Sequence, residues 1–112
     1  MEYQNCNLNI RYDLPIEILE KVPLVYKQMP GWLGFGKDGL GEEGIPHWFS
    51  YNQNEKSVVA SVEPSGLLFT ANMELNEWLE WKAEFKRIAT ETLGFIVGEI
   101  EEDEVGYEIK WL

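Results

Sequence analysis

The chain has 112 residues, 45% of them apolar and 13% aromatic, with twenty acids against nine bases and a net charge of −11 at pH 7. Such a length predicts one domain, 1–112, able to bury roughly two thirds of its unfolded surface without staples, and the composition excludes a disordered chain. The charge argues against nucleic acid, whose affinity comes largely from Lys and Arg neutralising phosphates, and against anionic membrane surfaces.

The opening MEYQNCNLNIRYD is polar, so no secretory signal is expected, and no apolar run approaches the ~18 residues needed to span a bilayer. Within 3–12, Cys6, Leu8, Ile10 and Tyr12 alternate with Asn5, Asn7, Asn9 and Arg11, which predicts a strand with one buried face. Pro15 suits a first helical turn, and Ile16, Leu19, Val22 and Val25 recur at helical spacing. Pro23 should kink or split this helix before Pro30–Gly31 end it. A short strand at 32–36 leads into a polar, glycine-rich loop, 37–45. Strands at 48–52, 56–63 and 67–72 then form a meander, with Pro64-Ser65-Gly66 as a turn.

Leu75, Trp78, Leu79, Phe85, Ala89, Thr92 and Leu93 repeat at steps of three and four, with Glu77, Glu80, Glu84, Arg87 and Glu91 opposite. This predicts an amphipathic helix over 74–93, ended by Gly94. Ile96 and Ile100 suggest a further strand, residues 101–104 a turn, and Val105, Tyr107, Ile109 and Trp111 a closing strand. The whole order predicts an α+β domain: a mainly antiparallel sheet of five to seven strands with two helices packed on one face.

Residues 31–44, GWLGFGKDGLGEEG, match G-x-G-x-x-G twice and begin a Walker pattern. Neither match fits its chemistry. A dinucleotide fingerprint must follow a strand and open a helix, whereas this segment follows a helix and leads through Ile45-Pro46 toward a strand. A P-loop needs Ser or Thr after its lysine, and Asp38 stands after Lys37. The glycines therefore indicate tight turns at positive φ, or a binding loop whose acids Asp38, Glu42 and Glu43 lie between the aromatic anchors Trp32 and Trp48.

His47 is the only histidine and Cys6 the only cysteine, so neither a metal-ligand cluster nor an internal disulfide is indicated. The serines lack a nucleophile-elbow context. Glu99, Glu101, Glu102, Asp103 and Glu104 crowd one turn without the EF-hand pattern, and no sugar cleft is evident for glycosidase chemistry. Their mutual repulsion makes them candidates for contact with a cationic partner. No catalytic residue, cofactor or metal is expected.

These features predict a cytoplasmic protein-binding module whose acidic surface, built from Trp32, Asp38, Glu42, Glu43, Trp48, Glu99, Glu101, Glu102, Asp103 and Glu104, meets a basic protein. In size, acidity, lone cysteine and α+β outline the chain resembles the small acidic bacterial immunity proteins of polymorphic and contact-dependent toxin systems. That resemblance implies a nuclease-like toxin domain as partner, its cationic active site occluded by carboxylates. The alternatives are a small-ligand or carbohydrate-binding domain using Trp32 and Trp48, a hydrolase of unrecognised type using Asp38, Glu42, Glu43 or His47, and a homo-oligomer pairing through the closing strand.

Overall fold

The computed structural model describes residues 1–112. Its elements are β1 (Glu2–Leu8), α1 (Ile16–Leu19), α2 (Val22–Gln28), β2 (Trp32–Phe35), β3 (Pro46–Trp48), β4 (Ser57–Glu63), β5 (Gly66–Met73) and α3 (Leu75–Leu93). The five strands form one antiparallel sheet in the order β1-β5-β4-β3-β2. This is the predicted α+β architecture. The meander follows from its turn chemistry: Glu63 pairs with Gly66 around Pro64–Ser65, and Gly66 approaches the Leu8 carbonyl so closely that any Cβ would collide with it. No helix is long and apolar enough to cross a membrane.

Alternation assigns one face of the sheet to the core. Cys6 and Leu8 of β1, Leu67, Phe69 and Ala71 of β5, and Val58 and Ala60 of β4 are all buried and lie in register. Against them α3 places Trp78, Trp81, Phe85, Ala89 and Leu93, which recur about every turn and so share one stripe. Phe69 meets Phe85 edge-on at 4.8 Å between centroids and Trp81 at 5.7 Å. The helix ends where Gly94 turns left-handed at φ 82° and its N–H bonds to the Thr90 carbonyl.

As expected, Pro23 splits the predicted helix in two: it occupies the first turn of α2, because a ring without an N–H is tolerated there and not in a helix interior. Several other local expectations are corrected. β1 stops at Leu8, because the Asn9 side chain exchanges hydrogen bonds with the Ile96 carbonyl and the Gly98 N–H and draws the chain off the sheet; Tyr12 is left exposed. The strand predicted over 48–52 is Pro46–Trp48 instead. Phe49 adopts φ 71°, which ends extended pairing, and its N–H bonds to the Gly31 carbonyl.

On α3 the buried stripe is shifted toward Trp81 and Ile88, while Leu75 and Leu79 face solvent. The two C-terminal strands are replaced by an irregular tail, in which only Phe95 and Trp111 bridge. Phe95 and Val97 point inward and Ile96 outward, opposite to the expected parity. Backbone pairing of the tail is limited to the Ile96 N–H to the Lys110 carbonyl and the Leu112 N–H to the Gly94 carbonyl, around the Phe95–Trp111 bridge, so the alternation over 105–111 is expressed only at its last residues.

Replacing Phe69 by Ala is expected to lower the unfolding free energy by about 3–5 kcal/mol in urea titrations, and Leu79→Ala by less than about 1 kcal/mol. Equal losses would mean that α3 packs through a different face.

Candidate functional site

The glycine-rich segment is an ordered loop folded around one imidazole. His47 is fully buried on β3, with Nδ1 2.7 Å from the Ile45 carbonyl oxygen and Nε2 3.2 Å from the Glu42 backbone nitrogen. A carbonyl can only accept and an amide N–H can only donate, so Nδ1 carries the proton and Nε2 is bare. The loop backbone closes on itself through Gly36 N–H to Ile45, Gly44 N–H to Gly36, and reciprocal bonds between Lys37 and Leu40. Two glycines are required by this approach. A Cβ on Gly36 would strike the Glu42 carbonyl, and one on Gly41, which sits at φ 63°, would strike His47 Nε2. The phosphate-like pattern is thus a consequence of wrapping backbone around a ring.

His47 is therefore a structural post. Both of its nitrogens are engaged and none of its surface is open, so it does not serve as the general base of the hydrolase alternative. Asp38, Glu42 and Glu43 all project from this loop into solvent. Asp38 turns left-handed at φ 54°.

Trp48 is corrected from a surface anchor to a core residue. It is 0% exposed, its Nε1 donates to the Tyr26 carbonyl, and its ring packs against Tyr26 at 5.3 Å and Trp81 at 5.1 Å. Alternation on β3 alone decides this, since His47 takes one face of the sheet and Trp48 the other. Trp32 is half-buried, stacked on Tyr26 at 6.0 Å and meeting Phe35 edge-on. Trp81 donates its Nε1 to the Pro30 carbonyl and so belongs to the same aromatic block.

The second acidic segment divides in two. Glu99 is corrected from a partner contact to an internal anchor: it is buried, 3.1 Å from Lys82 and 2.7 Å from Lys86. Glu104 joins this network through Lys86 and accepts the Glu99 N–H. Glu101, Glu102 and Asp103 remain exposed. The network straps the tail to α3 beside Cys6, whose buried thiol is pushed up to about 12 chiefly by desolvation and then by Glu99. The tail also meets the extension of β1 through Asn9, whereas the glycine loop lies beyond β2 and β3. The two acidic segments thus rest on different supports, the loop on β2 and β3 and the tail turn on α3 and the extension of β1, with Tyr12 lining both the cleft beside Gly44 and Ile45 and the groove beside Glu101.

A feature that sequence reasoning missed lies beside the glycine loop. A cleft of about 420 Å³ opens between α1–α2 and residues 44–46, floored by Ala60 and Val62 of β4. Its walls include Val22, Tyr26, Phe35 and Ile45. The available signal was the run of β4 itself: Val58, Ala60 and Val62 share one face, yet exposure rises from 0% and 1% to 50% where the helices cease to cover the sheet.

Gly41→Ala is expected to destabilise the fold by about 1–3 kcal/mol and to speed hydrogen exchange at the Glu42 amide, measured by NMR; unchanged protection there would remove His47 from its role as post.

The tail strap gives a pH dependence. Burial acts to lower Lys86, but hydrogen bonds to Glu104 and Glu99 outweigh it and raise the ammonium. Burial acts to raise Glu104, yet Lys86 and the Glu99 N–H hold it below the ordinary value. Glu104 therefore contributes stability that is complete above about pH 4.5 and lost as pH falls through its lowered folded value. Lys86 contributes stability that is present below about pH 10.5 and lost as pH rises through its raised one. Lys86→Met is expected to cost about 1–3 kcal/mol at neutral pH, a loss that shrinks toward acid in urea titrations across pH.

No protein-family model, curated protein or solved structure matches this chain.

Proposed function

We propose that the chain is a protein-binding module that docks a basic partner at the end of the sheet bearing the glycine loop. The observation that carries this reading is the loop itself, which presents Asp38, Glu42 and Glu43 to solvent on a backbone pinned from beneath by His47. Carboxylates on a preorganised backbone lose little freedom on binding, so more of their attraction is retained as affinity. The surrounding field supports the same polarity. Arg11, Lys56, Lys82, Lys86 and Arg87 are tied to carboxylates of their own chain, which leaves only Lys21, Lys27, Lys37 and Lys110 without an ion pair. A surface of this sign steers cationic proteins and accelerates their encounter.

A nuclease-like toxin domain is the specific partner that the resemblance to small bacterial immunity proteins suggests. Its active site attracts phosphate, and the loop carboxylates would cover it by standing in for that charge. A cytoplasmic setting suits the single buried thiol. Of the two acidic segments, the loop is favoured over the tail turn, because Glu99 and Glu104 already serve Lys82 and Lys86.

The test is calorimetric titration with the product of the adjacent gene, combined with rescue of growth when that product is expressed. Affinity is expected to fall by about tenfold or more between low and high salt. The triple change Asp38→Asn, Glu42→Gln, Glu43→Gln should weaken binding by a similar factor, and neutralising Glu101, Glu102 and Asp103 should have a much smaller effect. An affinity indifferent to salt and to the loop carboxylates would overturn the reading.

A further inference from the structure

We propose that the cleft beside the glycine loop is the anchor pocket of this docking surface, receiving one apolar side chain from a basic segment of the partner and a hydrogen bond from or to the Tyr26 hydroxyl. The inference rests on the reading above and adds where, and by what contacts, the partner is held.

The cleft is apolar by construction. Ala60 and Val62 continue the core face of β4 past the point where α2 and α3 cover it, and Val22 with Tyr26 on one side and Phe35 with Ile45 on the other complete the walls. At about 420 Å³ it has room for a large aliphatic or aromatic side chain with adjoining backbone. Three of its lining residues, Tyr12, Phe35 and Val62, are 61%, 40% and 50% exposed, a concentration of accessible apolar surface at one concave place.

Tyr26 offers a polar group at the wall of the cleft. The residue is only 4% exposed, its ring wedged between Trp32 and Trp48, and it lines the cleft. Its hydroxyl makes no hydrogen bond within the protein, yet Asn7 Oδ1 is the only buried side-chain polar atom without a partner, so the phenol oxygen reaches solvent through the cleft. It is therefore free to exchange water for a polar atom of an occupant. A peptide segment brings both components at once: an apolar side chain for the walls and backbone amide groups for the phenol.

Charge selects the segment. The loop wall carries Asp38, Glu42 and Glu43 against Lys37. The helix wall carries Glu17 and Glu20 against Lys21 and Lys27, and the floor strand ends in Glu63. The mouth is therefore negative around an apolar interior, complementary to an apolar residue flanked by Lys or Arg.

Three synthetic capped pentapeptides, KKLKK, KKAKK and EELEE, test this by titration into ¹⁵N-labelled protein. KKLKK is expected to shift the amides of Val22, Tyr26, Ile45 and Val62 and to bind about tenfold more tightly than KKAKK. EELEE is expected to leave those amides unmoved. Val62→Trp, which fills the cleft from its floor, should abolish the preference for the leucine peptide. Tyr26→Phe should weaken KKLKK severalfold without lowering the unfolding midpoint, an outcome that a purely structural tyrosine would not give. If KKLKK and KKAKK bind alike and perturb only exposed acidic positions, docking by charge survives and the anchor pocket does not. If EELEE enters the cleft as well as KKLKK, the basic character of the occupant is refuted. If none of the three peptides binds, the pocket is overturned, and the salt series with the natural partner decides the broader reading separately.

Discussion

The structure depends on the interlock between the aromatic stripe of α3 and the rings of the sheet. Trp81 lies edge-on to both Trp48 and Phe69 and hydrogen-bonds the Pro30 carbonyl. Trp48 in turn donates to the Tyr26 carbonyl. Edge-to-face pairs of this kind add about 0.5–1.5 kcal/mol each beyond area burial. The two indole N–H groups matter equally, because they fasten the end of α2 and the turn after it to β3 and α3. The position of α2 follows from that fastening, and so does the wall that Tyr26 and Val22 give to the cleft.

From the same strand the structure builds its outer face. Trp48 turns into the core and its neighbour His47 turns the other way, where the glycine loop closes over it. One two-residue alternation thus sets both the packing of the core and the shape of the loop. Because the imidazole is held by backbone groups on both nitrogens, the loop carboxylates are carried by a rigid support even though their own side chains are free in solvent. This is an economical way to present negative charge on a segment that has no helix or strand of its own.

Electrostatics is divided between two tasks. On the tail side, Glu99 and Glu104 share Lys82 and Lys86 and hold an irregular segment against α3, work that a β-ladder would otherwise do. On the loop side, Asp38, Glu42 and Glu43 have no such partners and contribute to the field felt outside the molecule. The surface is therefore not uniformly acidic in function. Equal formal charges serve cohesion where the tail meets α3 and are available for recognition on the glycine loop.

The amino-acid sequence by itself determined the α+β class, the β4–β5 hairpin around Pro64–Ser65, the break at Pro23 and the long helix closed by Gly94, because each rests on local chemistry: a turn residue, a missing N–H, a positive φ, a three-to-four spacing. Only the tertiary structure decided which candidate residues reach solvent. Trp48 and Glu99 look like partner contacts in a linear reading, yet one is taken by the aromatic block and the other by two lysines that lie 17 and 13 positions away along the chain. The alternation over 105–111 resembled a strand, but only its end pairs, with Gly94–Ile96 and not with the five-stranded sheet. The cleft was illegible for the same reason, since its walls come from segments distant in sequence, and concavity is a property of how they meet.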